Sequence, residues 1–477
     1  MAHLPTARQI DPGQRKTSVA TAESGALQIP WPEQILLFLA LAVFLSIGPA
    51  DPNPELGKSN LQSTLGQGAA LAITIPFVLL HWRGMIPIIL RSPLLVGFLV
   101  LAFASVAWSA FPALTFRRDA SLLAPILVGL AAAYRYEPQD VIRFTGRFCL
   151  LLTLISLVVI AAFPSVGIMH DPYNPELDGA WRGFTPHKSV FGIILVLGFE
   201  IHAWRTLFES EGRWRHAGIA LAMLMICFLA RSSTAFIAMS LSLLLLAILA
   251  IRRSELRTRW LPELAFWGLL IFALVFLPFL LTTVVQLLGK DISLTGRIPL
   301  WQSLMPFIAD RPVLGYGYGG FWIANSPQMV LVQRLNPWRP PDAHNAYIGV
   351  ALELGLLGAA IATTFLLSVI YRAYRTSRST GLAWPAYFFA FAFVYAITNM
   401  VETPLLANGS FFTFMLAFCH FALVKRALKA AHQDMPIPAG ARTWADVAPT
   451  AEVQAGLRFR RLSGRSRPTW RDGRAGR

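Results

Sequence analysis

Three kinds of residue in this chain could carry chemistry: a histidine in a polar turn, arginines set against apolar runs, and a glycine-aromatic loop. The histidine is His344, in Asp342-Ala-His-Asn345-Ala-Tyr347. An imidazole titrates near neutral pH and suits a general base, although a His-Asn pair before an apolar run also reads as a helix cap. The arginines are Arg231 in Leu229-Ala-Arg-Ser-Ser-Thr234, Arg297 in Leu294-Thr-Gly-Arg, the pair Arg117 and Arg118, and Arg311 in Asp310-Arg-Pro. Arg182, His187 and Lys188 share the stretch Trp181-Arg-Gly-Phe-Thr-Pro-His-Lys188. Guanidinium forks converging on one place suit a phosphate or pyrophosphate. Taken singly, each could instead snorkel toward lipid headgroups. Arg231 is the most confined, wedged between two apolar runs with almost no loop, and an arginine so placed normally serves a site or a partner. Glu402 and Glu353 are candidate partners for an arginine or for a substrate hydroxyl.

The loop Gly315-Tyr-Gly-Tyr318-Gly-Gly-Phe-Trp322 spells G-x-G-x-x-G. The dinucleotide reading needs a strand before it and a helix after it in a βαβ unit. Here it follows Arg-Pro-Val-Leu inside a long polar segment, and the arginines nearby also argue against a potassium filter. Two readings remain: a flat surface for sugars or an acyl chain, with Tyr318 toward substrate, or tight-turn packing. Asp310, Asp342 and His344 have no recognised metal-ligand spacing. Neither a metal nor a cofactor is expected.

The elements that must position these residues are membrane helices. The chain of 477 residues is 55% hydrophobic and only 14% charged, against about 25% charged in soluble domains. Apolar runs of about 20 residues recur, the length that crosses a bilayer as a helix; they do not alternate as barrel strands would. Candidate spans are 34–50, 66–82, 93–110, 119–134, 144–163, 187–204, 217–231, 234–251, 262–286, 346–370, 384–401 and 409–424. That makes an all-α polytopic protein of about 12 transmembrane helices. Counting alternate loops puts 30 Lys and Arg on the side of the termini and 11 on the other. The positive-inside rule then sets both termini in the cytoplasm and the loop 287–345 outside. This loop holds too many aromatics for disorder, and the spacing of its apolar residues over 297–309 predicts a helix at the membrane surface.

Residues 1–33 read as a disordered cytoplasmic arm rather than a cleavable signal peptide, 34–424 as the membrane domain, and 425–477 as a basic cytoplasmic tail. The net charge of +16 is carried by loops and tail, so anionic lipid is the expected partner and nucleic acid is not. Cys149, Cys227 and Cys419 all fall in apolar runs and read as buried small hydrophobes.

Taken together, Leu294-Thr-Gly-Arg-Ile-Pro-Leu-Trp301, Asp310 through Trp322, Ala343-His-Asn-Ala-Tyr347 and Leu352-Glu-Leu-Gly355 resemble the O-antigen ligase and Wzy-type polymerase superfamily, nearest its ExoQ-like exopolysaccharide-production branch. The likeness reaches Gly183–Lys188, where Ser189 replaces an asparagine common in the family. The resemblance implies a fold similar to GT-C lipid-linked-sugar transferases in the bacterial inner membrane. It implies metal-independent glycan transfer on the periplasmic face from an undecaprenyl-pyrophosphate-linked donor to an acceptor glycan or lipid-linked repeat unit, alongside other polysaccharide-export proteins. By the family pattern His344 is the base, and Arg231 and Arg297, with Arg117 and Arg118, hold the leaving pyrophosphate. Arg182, His187, Lys188, Arg311, Tyr318, Asn345 and Glu402 complete the expected substrate contacts. Polymerisation of repeat units is the first reading, ligation to lipid A core the second, and transport of the lipid-linked unit the third.

Overall fold

The computed structural model describes residues 29–45, 61–170, 178–253, 297–323, 326–336, 340–402 and 405–433. Among these the chain is helical, apart from one isolated bridge between Ile168 and Trp181. In chain order the helices are α1 Trp31–Phe44, α2 Leu61–Leu80, α3 Trp82–Leu90, α4 Pro93–Ala104, α5 Pro112–Arg135, α6 Pro138–Ala162, α7 Lys188–Phe208, α8 Arg213–Leu229 and α9 Ser233–Arg253. There follow α10 Arg297–Asp310, α11 Pro327–Leu335, α12 Ala346–Ser379, α13 Trp384–Thr398 and α14 Phe411–Gln433. The starts are chemically marked. Proline occupies the first turn of α4, α5, α6, α11 and α13, where its missing N–H costs nothing.

Every expected span except 262–286, which lies outside the described residues, coincides with a helix. Five of these helices, α6, α7, α9, α12 and α14, are long and apolar enough to cross a membrane. The bent pair α2–α3, turned through 96° at His81, makes a sixth if it counts as one span. The other expected spans are short or charged. α1, α4 with its 3-10 turn, and α13 have 10–17 residues, or up to about 25 Å at 1.5 Å per residue, less than the roughly 30 Å of a hydrocarbon core.

α7 is the hub, packed against α6, α8, α9 and α13. Between lipid-immersed helices the hydrophobic effect is weak and close packing does the holding, so small residues sit where backbones approach. A side chain at Gly198 would strike the Met223 thioether of α8 within 2.7 Å, and one at Gly146 the side chain of Ile201 at the same distance. Aromatic stacking joins α13 to α14, with Phe388 edge-on to Phe418 at 5.6 Å and Tyr395 stacked on Phe412 at 5.2 Å. Such pairs add about 0.5–1.5 kcal/mol each. At the end of α5, Lys425 donates to the carbonyls of Ala133 and Tyr134, a cation capping the negative helix terminus.

The long loop between α9 and α12 is ordered over its described part. It contributes α10 and α11, and it has a core of its own in Leu300, Leu304, Tyr316, Phe321, Met329, Val332 and Leu352. This cap is tied to α12 at a break. Gly355 adopts φ 67°, ψ −175°, which interrupts the helix and releases the carbonyls of Leu352 and Glu353. Tyr316 and Gly317 donate their backbone N–H groups to those two oxygens at 2.9 and 2.8 Å, and Leu356 donates to Pro312 at 2.7 Å.

Candidate active site and its cavity

His344 stands at the start of α12 with φ 45°, a left-handed conformation that a side chain with a Cβ adopts at some cost. Its backbone N–H donates to the Asp342 carboxylate at 2.7 Å, and its Nδ1 lies 3.7 Å from the same oxygen. Burial lowers the His344 pKa below the ordinary imidazole value; Asp342 opposes the shift and the nearby Arg297 adds to it. The ring is therefore a neutral base at pH 7. Arg297, the first residue of α10, reaches Glu402 at 3.6 Å. Burial pushes the Glu402 carboxyl up, and Arg297 pulls it back. His344, Arg297, Asp342 and Glu402 thus form one electrostatic group, brought together from three places in the sequence.

Arg231 lies in the tight connection between α8 and α9, also left-handed at φ 50°. Its guanidinium donates to the Asp178 carbonyl at 2.9 Å, and its own carbonyl lies 3.4 Å from the Lys188 ammonium. His187 caps α7, its Nδ1 accepting from the Ser189 N–H. Arg182 donates to the Val166 carbonyl at 2.8 Å.

A cavity of about 370 Å³ is lined by Glu402 of the first group and by Ser189 and Ser232, which neighbour Lys188 and Arg231 of the second. Ser189, Ser232, Ser410 and Glu402, all near helix ends, line its mouth; Ser189 and Ser232 follow Lys188 and Arg231 in the chain, and Glu402 pairs with Arg297. Its walls are apolar, with Ile193, Leu197, Val394 and Phe411 among them. Its inner end is Glu200, twelve residues into α7 and hence roughly 18 Å from the helix start. Glu200 was not among the candidates drawn from sequence. A lone carboxylate inside an apolar run of α7 was the signal for it.

Most of the remaining candidates gather where the glycine loop docks, and Asn345 stands next to His344. Arg118 contacts the Gly319 carbonyl, with Glu353 and Tyr318 within electrostatic reach and Arg117 beside it. Tyr318 is buried; its hydroxyl donates to the Leu406 carbonyl at 2.8 Å and its N–H to the Ser105 hydroxyl at 2.9 Å. Arg311 covers the Tyr316 ring at 4.7 Å and lies 3.8 Å from Asp310. The length of α10, roughly 20 Å, separates Arg311 from Arg297. Asn345 accepts from the N–H groups of Tyr347 and Ile348 as the cap of α12. Among the described residues no three His, Cys, Asp or Glu side chains converge as metal ligands would.

Residues 218–363 match the family model for O-antigen ligase. That segment contains Arg231, Arg297, the glycine loop, His344 and the Gly355 break. The chain is also 26% identical over 327 residues to the exopolysaccharide production protein ExoQ of Rhizobium meliloti (strain 1021), covering 64% of this chain and 71% of that one. The resemblance to the O-antigen ligase and Wzy-type superfamily, on its ExoQ-like side, is therefore carried by the matched segment and by the 64% of the chain aligned to ExoQ, as well as by the motifs. Among the described residues of the matched segment, the left-handed residues that bear side chains are Arg231 and His344, two of the three expected catalytic residues; Arg297 is the third.

Proposed function

We propose that this protein transfers a glycan from a lipid-pyrophosphate-linked donor to a sugar hydroxyl, on the side of the membrane where the cap lies. The observation that carries the reading is the apolar cavity lined by Ser189 and Ser232, the chain neighbours of Lys188 and Arg231, and by Glu402, which pairs with Arg297 in the group that holds the neutral His344. Its chemistry fits an apolar chain below and a pyrophosphate at the mouth. The acceptor hydroxyl attacks the anomeric carbon as His344 takes its proton, with Nδ1 turned to Asp342 and Nε2 toward the acceptor. The bond from anomeric carbon to pyrophosphate oxygen breaks, and the leaving group departs with the electron pair. Arg231 and Arg297 neutralise that charge in a site of low dielectric, where fixed cations act most strongly. Arg182, His187, Lys188 and Glu402 line the donor's path at the mouth. Arg117, Arg118, Arg311, Tyr318 and Asn345 serve the substrate through the loop and helix start that they hold in place.

The similarity to ExoQ favours polymerisation of exopolysaccharide repeat units. The O-antigen ligase match favours transfer of a finished glycan to lipid A core or another acceptor. Purified protein given undecaprenyl-pyrophosphate-linked repeat units separates them. Longer chains on the same carrier mean polymerase, and product on an added core acceptor means ligase. Absence of both with folded protein overturns the reading.

A further inference from the structure

At the end of the bundle opposite the cavity mouth, α6, α7 and α8 bring arginines together. Glu209 binds Arg143 at 2.9 Å and Arg205 at 2.7 Å, both nearly buried. Behind this pair the imidazoles of His202 and His216 stack at 5.0 Å, their Nδ1 atoms 2.9 Å apart. In front stand exposed cations. Arg147 of α6 feels Arg143, Arg205 and Arg215 together, and Arg213 lies over the exposed Trp214 ring at 5.8 Å.

Two apolar stripes lead to this cluster. On α6 the exposed residues Leu151 (45%), Leu154 (51%) and Val158 (64%) follow Arg147 at helical spacing, one face ending on a cation. On α8 the exposed Leu221, Met225 and Phe228 follow Trp214 in the same way, beside Arg215. A tryptophan at the end of such a stripe belongs at the headgroup level of a bilayer. Each stripe matches an acyl chain, and the cations at their ends match one negatively charged headgroup.

We infer that Arg147 and Arg215, flanked by Trp214, bind the headgroup of one anionic glycerophospholipid whose chains lie along the exposed faces of α6 and α8. The site is independent of glycan transfer and lies at the other end of the bundle. A lipid held there clamps α6 and α8 to the hub helix α7. Charge complementarity selects the headgroup, since the Arg143–Glu209–Arg205 set keeps one positive charge and the exposed Arg147 and Arg215 stand in front of it.

Full-length protein in mild detergent, titrated with phosphatidylglycerol or phosphatidylcholine and read by native mass spectrometry, tests this. Phosphatidylglycerol is expected to be retained about tenfold more readily, the weight of one to two cations at a membrane surface. Arg147→Gln with Arg215→Gln should remove most of that preference, whereas Arg375→Gln at the end of α12 should leave it. Should the double variant not fold, Arg215→Gln alone, at an exposed side chain, carries the same expectation at smaller size. Equal retention of the two lipids by the wild type overturns the inference. So does a preference unchanged in a folded variant, or full displacement of the lipid by excess inorganic phosphate, which would mark a soluble-anion site.

Discussion

The cavity mouth and the glycine-loop dock both contain left-handed backbone, and they draw on glycine for it to different extents. In the docked loop and the α12 break the left-handed positions are Gly315, Gly317, Gly319 and Gly355, where no Cβ opposes the conformation, while Leu406, which accepts from Tyr318, is left-handed with a side chain. A side chain at Gly355 would lie 2.0 Å from the Val313 carbonyl oxygen. Near the mouth Gly179 and Gly183 are left-handed, and so are Arg231 and His344, which carry large side chains. Strain of about 1–2 kcal/mol at each is tolerated there because the side chain itself is wanted. The dock is a place where geometry was selected; the mouth is a place where chemistry was selected over geometry.

Exchanging the two solutions tests that contrast most severely. Arg231→Gly and His344→Gly should each reduce product from lipid-linked donor by at least ~100-fold, as removal of a catalytic base or charge clamp does. Their melting temperatures in detergent should stay near wild type, because relief of strain and the added backbone freedom oppose each other within about 1 kcal/mol. A variant that loses both product and fold would make the strained residue a structural one. The reverse exchange, Gly355→Ala, should lower stability by roughly 3 kcal/mol or more through clash and strain together. An unchanged melting temperature there would mean that the cap does not depend on the break.

A smaller effect comes from pH. Burial keeps the His344 pKa below the ordinary imidazole value of 6.5, so its base form persists as pH falls through that value. Product formation should show its acid limb centred below pH 6.5. The same depression stabilises the fold above the unfolded value, and that contribution disappears as pH falls through the lowered one. An acid limb centred above 6.5 would assign the base to another group. The smallest effect is expected from Asn345→Ala, which removes a cap accepting two backbone N–H groups and should cost about 1 kcal/mol of stability. A product loss beyond what that cost explains would place Asn345 against the substrate as well.

Much of this was legible in the sequence, for reasons that differ by feature. Helices appear at the expected spans because apolar runs and proline starts are local signals, written in consecutive residues. Which of them are long enough to cross was less legible, since α13 ends at Thr398 and α4 at Ala104 where turns, not composition, stop them. His344, Arg231 and Arg297 stood out because polar groups against apolar runs are costly. The roles of His187 and Asn345 as caps depend on side-chain direction, which residue type alone leaves open. For Tyr318 a surface for substrate and tight-turn packing read equally well, because its burial against Leu406 and Ser105 follows from contacts across 88 and 213 residues of chain. Glu200 went unremarked because an isolated carboxylate gains meaning only when a cavity is found to end on it.

The break at Gly355 also bears on how the chain is made. The N–H groups that satisfy the freed carbonyls of Leu352 and Glu353 belong to Tyr316 and Gly317, and these leave the ribosome before the helix that needs them. When α12 is synthesised, the segment that completes its broken turn already exists. The order of the two motifs along the chain therefore spares the nascent helix a period with bare carbonyls in a membrane, which the reverse order would have imposed.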